Sequence, residues 1–164
     1  MDGENKSMDR IHIGIDNGTT GTIAIINNKS AIYASMPIKK ELSYTKKKQY
    51  ITRIHWKDLG NYLRDNVGKQ CSAFCLIERP MVNPMRFKAS MSAIRALEAT
   101  LIVLERLEIP YQYIDSKEWQ RALLPSGIID NKELKGNKKT SLLKKAAVDI
   151  ARRLFPKIKT KDAD

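Results

Sequence analysis

The sequence predicts a mixed α/β domain, and three observations carry the expectation. Three short β-branched runs come first, Ile11 to Asn17, Thr22 to Ile26 and Ala31 to Met36. Strand-like and helix-like patterns then alternate, which implies a sheet sandwiched by helices. The run from Cys71 to Ile77 is continuously apolar, as expected of a strand covered on both faces. A chain of 164 residues buries roughly 70% of the surface its unfolded form exposes, so an apolar core needs no disulfides. The expected organisation is a flexible polar leader at 1–10 followed by one compact domain over 11–164.

Taken in order, the first run delivers an acid, Asp16, at its end. Gly18, Gly21 and the threonines between them supply a turn into Thr22 to Ile26, so the two runs read as a hairpin, with Ala31 to Met36 as a third strand. Pro37 to Tyr50 is Lys-rich without a clear period and reads as an exposed loop. His55 to Asn66 reads as a helix bearing Trp56, Leu59, Tyr62 and Leu63 on one side and stopped by Gly68. The Cys71 strand again ends in an acid, Glu78.

Asn83 followed by Pro84 is a cap and first-turn pair opening a long helix to about Leu107, with Ile94, Leu97, Leu101 and Leu104 as its stripe and Met91, Ala99 and Ile102 widening it. Tyr111 to Ile114 is a further strand. Asp115 with Glu118 three residues on is a capping-box start for another helix, which Pro125 ends. Ser126 to Lys139 reads as a mobile polar stretch. The last helix spans about Thr140 to Phe155, with Leu142, Leu143, Ala146, Ala147, Ile150 and Leu154 on one face and Lys144, Lys145 and Arg152 opposite.

Composition then narrows the classes of function. With 42% hydrophobic and 29% charged residues the chain is globular rather than disordered. No run reaches the roughly 20 apolar residues of a membrane span, and the polar start has no secretory signal, so an intracellular, cytoplasmic protein is expected. Lys and Arg number 30 against 18 Asp and Glu, a formal charge of +12. Basic proteins are often simply well solvated, so the distribution of the charge matters more than its sum. It clusters at Lys39, Lys40 and Lys46 to Lys48 and again from Lys132 to Lys159, as in proteins that release counterions from a nucleic-acid backbone.

The chemistry lies in the carboxylates. Asp16 and Glu78 each end a buried-type strand, and Asp162 and Asp164 close the chain. A strand-ending acid alone is ordinarily a solvated terminus. Side chains at the ends of adjacent central strands converge, and several carboxylates in one place are tolerated when hard divalent cations neutralise them. Two such ions roughly 3.5–4 Å apart activate a water and stabilise the leaving oxygen of a phosphodiester.

IGIDNGTTGTIAII from Ile13 to Ile26, LIERPMVNP from Leu76 to Pro84 leading into RFKASMSAIRALEAT, YIDSKEWQRALLP from Tyr113 to Pro125, a basic helix and a terminal DAD follow one another in this chain. Their order and spacing resemble the RuvC-like Holliday-junction resolvases, particularly the phage-type members. The resemblance covers essentially residues 11–164. It implies a ribonuclease-H-like fold whose five-stranded mixed sheet has three antiparallel strands then two parallel ones, with helices on both faces. It also implies a homodimer, dependence on Mg²⁺ or Mn²⁺ with two ions per site, and paired nicks across a four-way DNA junction in a bacterial or phage-infected cell. Neither a membrane nor a small-molecule cofactor is implied.

Carried over by position, Asp16 is the first-strand metal ligand and Glu78 the central-strand ligand. The family's third corner is an acid pair at the start of a final helix. Asp164, after Ala163, matches that start; Asp162, two residues earlier, has a spacing that does not bring side chains together on a helix. The chain stops where that helix would run, so the expectation is that it is absent or truncated. Lys117 and Lys139 sit where basic residues of the family hold the scissile phosphate, and solvated lysines would look the same. Arg79, Arg86 and Lys88 flank the Glu78 corner as phosphate contacts, joined by Lys138, Lys144 and Lys145 of the basic helix. Phe87 or Met81 is the apolar wedge that opens bases at a crossover, although composition favours Phe87 in the core. The extra apolar width of the Pro84 to Leu107 helix is compatible with dimerisation.

Other constellations are set aside. Cys71 and Cys75 lie four apart in a strand, roughly 13 Å and too far for a mutual disulfide. His12 and His55 are the only histidines, so no zinc site is formed. Asp16-Asn17-Gly18-Thr19-Thr20 also resembles the first phosphate motif of actin-like and sugar-kinase ATPases. Two such domains close over a nucleotide, however, and this length provides one. A non-catalytic branched-DNA-binding module of the same fold is the remaining alternative.

Overall fold

The computed structural model describes residues 10–28, 30–68, 72–131, 133 and 135–156. The leader up to residue 9, Cys71, Lys132, and Asp162 and Asp164 lie outside the described residues. The chain divides into two compact units, the first ending at Tyr113 and the second beginning at Ile114.

The first unit is built on a five-stranded sheet. β1 (Arg10–Asp16), β2 (Thr22–Ile26) and β3 (Ala31–Ser35) form an antiparallel meander. A hairpin of β4 (Ile38–Leu42) and β5 (Tyr50–Ile54) follows, then α1 (Trp56–Val67), β6 (Ser72–Glu78), α2 (Phe87–Arg106) and β7 (Tyr111–Ile114). The order is β3-β2-β1-β6-β7, with β6 parallel to β1. Three antiparallel strands joined to a parallel crossover strand are the arrangement expected of a ribonuclease-H-like sheet.

Alternation along the strands decides where the core sits. Ile11, Ile13 and Ile15 of β1, Ile23 and Ile25 of β2, and Cys75 and Ile77 of β6 share one face through the pairings Ile13↔Ile25, Ile15↔Ile23, Ile13↔Cys75 and Ile15↔Ile77. On that face they join Leu59, Leu63 and Val67 of α1 and Ala96, Val103 and Leu104 of α2 in one core. The other face carries His12, Gly14, Ala24, Phe74 and Leu76, and Asp16 and Glu78 stand at its end.

The structure corrects three sequence expectations. Pro37 to Tyr50 is not a loop throughout: β4 and β5 form a separate two-stranded sheet. The alternation that makes it a ribbon is masked by lysines, and it is closed by ion pairs from Lys39 and Arg53 to Glu41. Lys39, then Arg53, hold the Glu41 carboxyl below the usual carboxylate range. A carboxyl lowered by folding stabilises the ribbon above its unfolded pKa and stops doing so as pH falls through its folded value.

The second correction concerns α2. A 3₁₀ turn, Pro84–Arg86, precedes it; Leu97, Leu101 and Leu104 of the expected stripe pack in the core, but Ser90, Ala96, Thr100 and Val103 are buried in the same seam while Ile94 and Ile102 are exposed. Two polar residues belong to that seam because their hydroxyls are hydrogen-bonded, which hydrophobic periodicity does not register. Third, the stretch from Ser126 to Lys139 contains a helical turn, α4 (Ser126–Ile129), and the first turn of α5 (Gly136–Leu154). These belong to the second unit, as does α3 (Ser116–Leu123), which opens with the expected capping box between Asp115 and Glu118.

Leu63 is fully buried in the first unit's core. Leu63→Ala is expected to cost about 2–5 kcal/mol in urea unfolding, whereas exposed Lys48→Ala should stay within about 0.5 kcal/mol of the parent. Burial also pushes the Cys75 thiol up to about 12. Peptide mapping after iodoacetamide at neutral pH should find Cys75 unlabelled until denaturant is added.

Candidate active site

The pairing of β1 with β6 sets the geometry of the acidic corner. Their parallel register runs from Arg10↔Ser72 to Ile15↔Ile77. Its next step sets Asp16 beside Glu78, the last residues of their strands. Adjacent strands lie about 4.8 Å apart, and residues at the same register point to the same face. Both carboxylates therefore leave the sheet side by side, at the carboxyl ends of two central parallel strands. Asp16 is exposed and Glu78 half-buried, so the corner opens to solvent. Open α/β sheets place ligands at such strand ends.

Two sets of contacts hold the corner in place. On the β1 side, Gly21 N–H donates to the Gly18 carbonyl at 3.1 Å and the Gly21 carbonyl accepts from Met36 N–H at 2.9 Å. A Cβ on Gly21 would lie 1.9 Å from the Asp16 carbonyl oxygen, so the turn closes only over glycine. Asn17 then ties this turn to α2: its Nδ2 donates to the Ala93 carbonyl at 3.3 Å, and its Oδ1 accepts from Thr100 Oγ1 at 3.4 Å. On the β6 side, Ser90 Oγ accepts from Asn83 N–H at 2.9 Å and donates to the Asn83 carbonyl at 2.8 Å. One α2 serine thus clamps the loop that leaves Glu78. The Asn83 side chain meanwhile accepts from Met85 N–H, as the Asn83 and Pro84 pair predicts.

The other residues that the sequence suggests for the site fall into two groups. Arg79, Arg86, Phe87 and Lys88 belong to the first unit and are exposed along the loop after Glu78 and the start of α2. The Arg79 guanidinium lies over the Tyr113 ring, 5.3 Å from its centroid. Phe87 is not in the core: at 69% exposure it stands ahead of the buried seam, which begins at Ser90. Met81 is 84% exposed in the same loop. Lys117, Lys138, Lys139, Lys144 and Lys145 belong to the second unit. Lys117 lies in the first turn of α3; Lys138, Lys144 and Lys145 are exposed on α5. Lys139 is half-buried, and its Nζ donates to the Ile129 carbonyl at 2.6 Å, joining α5 to the end of α4.

Asn17, Ser90 and Thr100 escaped the sequence reading. Their signal is weak: a hydroxyl on each of two helical positions within an otherwise apolar face. Among the described residues no group of three or more His, Cys, Asp or Glu side chains comes together. The oxygen-only chemistry of the Asp16 and Glu78 pair nevertheless suits a hard cation such as Mg²⁺, which keeps several waters and takes one or two protein carboxylates.

No protein-family model and no curated protein matches the chain. Among solved structures it is similar to T. thermophilus RuvC in complex with Holliday junction substrate, at 12% identity and a TM-score of 0.48, over 88% of this chain and 96% of that one. A second Thermus thermophilus RuvC structure has 13% identity and a TM-score of 0.42 over the same shares. Among the described residues no helix is long and apolar enough to cross a membrane.

Gly21→Ala tests the turn beneath Asp16. It is expected to lower the thermal midpoint and displace the β1–β2 turn, seen as amide shift changes at Asp16 and Asn17, while Gly127→Ala, where an added Cβ meets nothing within 4 Å, leaves both unchanged.

Proposed function

We propose that this protein is a metal-dependent, structure-selective endodeoxyribonuclease that resolves Holliday junctions and related branched DNA by paired, symmetric nicks. The observation that supports this reading is that Asp16 and Glu78 are the last residues of two strands paired in parallel, one step beyond the Ile15↔Ile77 pair. Exposed Arg79, Arg86 and Lys88 lie along the loop and helix start that follow Glu78.

In this reading Asp16 and Glu78 supply oxygen ligands to Mg²⁺ or Mn²⁺, with Asp164 or Asp162 as the third corner. Two ions held there would activate the attacking water and stabilise the leaving 3′ oxygen. Arg79, Arg86 and Lys88 neutralise the phosphates on either side of the scissile bond. Stacking of Arg79 on Tyr113 limits the positions its guanidinium samples before DNA arrives. Exposed Met81 and Phe87 offer apolar surface to bases opened at the crossover, offsetting part of an unstacking cost of a few kcal/mol. Lys117 and Lys139 serve the phosphate, with Lys138, Lys144 and Lys145 along the DNA arms. The carbonyl bond of Lys139 limits its part, since that contact already uses one of its donors. Two-fold symmetric nicking calls for a homodimer, for which exposed Ile94 and Ile102 of α2 provide apolar surface.

A synthetic four-way junction with Mg²⁺ should be cut at symmetric positions in opposing strands. Asp16→Asn and Glu78→Gln should bind it with unchanged affinity and cut it at least about a hundredfold more slowly, the scale on which losing one electrostatic stabiliser of a transition state acts. Equal loss of binding and cleavage would count against metal ligation. Junction binding without cleavage under any divalent ion would leave a binding module, and tight ATP binding would favour the kinase-like alternative.

A further inference from the structure

The β4–β5 hairpin is not part of the five-stranded sheet whose strands β1 and β6 carry Asp16 and Glu78. Its composition is lopsided: over 38–54 the cations are Lys39, Lys40, Lys46, Lys47, Lys48 and Arg53, and Glu41 is the single carboxylate. Glu41 is itself neutralised, since Lys39 and Arg53 both pair with it on one face of the ribbon. One positive charge of the Lys39–Arg53–Glu41 group is left over, and to it are added the charges of Lys40 and the tip triplet Lys46, Lys47 and Lys48, all four exposed.

The tip is also braced. Arg95 of α2 donates to the Tyr44 hydroxyl at 3.0 Å, and its guanidinium lies 5.2 Å from the centroid of the Tyr44 ring. At the base, the Pro37 carbonyl accepts from His55 N–H at 2.8 Å, and Ile54 is buried in the core. A ribbon held at both ends presents its lysines with less entropy to lose on binding than a free loop would.

We propose that this hairpin is a second DNA-binding element, which grips the backbone of a duplex arm independently of sequence. A lysine triplet with no unpaired acid beside it complements a phosphate backbone. The major groove, about 12 Å wide, admits a two-stranded ribbon. Duplex is favoured over single-stranded DNA because the Tyr44 ring, although 78% exposed, is engaged by Arg95 and acts as a strut rather than as an open stacking platform. Tyr50, 70% exposed and opposite Leu42 in the ribbon, adds apolar contact to sugars. The proposal rests on the DNA-cutting reading above only in taking DNA as the polyanion.

The test is fluorescence anisotropy of the full chain on a plain duplex, a four-way junction and an oligothymidine strand, without Mg²⁺, between about 50 and 200 mM salt. The triple variant Lys46→Ala/Lys47→Ala/Lys48→Ala should lose at least about tenfold in duplex and junction affinity and lower the slope of log affinity against log salt by about 2.7, or 0.9 per lost phosphate contact. The corresponding triple Lys→Arg variant should retain both. An unchanged slope, a loss confined to the single strand, or a loss that tracks a change of oligomeric state in sedimentation would each overturn the proposal, the last assigning the ribbon to contact with another protein copy. If the hairpin variants lose duplex affinity while the parent never cuts a junction with Mg²⁺, the nuclease reading fails and the hairpin assignment stands. Normal junction cutting with unaltered duplex binding in the hairpin variants removes the hairpin assignment alone.

Discussion

Parallel pairing between β1 and β6 is the constraint on which the site depends. Its register places Ile13 beside Cys75 and Ile15 beside Ile77 in the core. The same alternation, one residue further, turns Asp16 and Glu78 together to the opposite face. A slip of β1 by one residue would turn its isoleucines out of the core and put Asp16 on the face opposite Glu78. Core burial and carboxylate convergence are therefore two consequences of one register. The protein gains no separate device for bringing the acids together; it needs only to keep its apolar face dry.

Around that register, α2 is the part that ties the acidic corner down. It reaches the β1–β2 turn through Asn17 and Thr100, and the loop after Glu78 through Ser90. Both contacts are polar groups within an otherwise apolar seam. An unmatched hydroxyl buried there would cost about 1–3 kcal/mol, so these residues persist where their partners are present. The arrangement couples the core to the corner: moving α2 moves both strand ends. It also explains why the apolar side chains of this helix are not all inside, since the seam turns to keep its hydroxyls against the turn and loop.

Charge is organised on the same plan of local neutralisation with a surplus left outward. Glu41 is matched twice within the ribbon, so Lys40 and the tip lysines face solvent with no carboxylate of the ribbon left to offset them. Arg79 is held over the Tyr113 ring and Arg95 over the Tyr44 ring. Cations held this way keep a favourable field toward a polyanion, which salt would screen over about 8–10 Å.

Much of the fold was legible from the chain. Alternating isoleucines in β1 and β2, the apolar β6, the Asp115 and Glu118 capping box and the Asn83 and Pro84 turn are local signals, and each element formed where its residues implied. So were the two acids at strand ends. The β4–β5 ribbon was not legible, because adjacent Lys39 and Lys40 break the period of β4 and its pairing is stabilised by cross-strand charge and by Arg95 from a distant helix. The stripe of α2 was legible at Leu97, Leu101 and Leu104 but not at Ser90 and Thr100, which are buried while Ile94 and Ile102 are exposed. The sequence by itself determined which residues are apolar, which strands end in acids and where turns must close, because those follow from local chemistry and period. Only the tertiary structure decided that Asp16 and Glu78 stand side by side, because strand register comes from burial shared between segments some 60 residues apart.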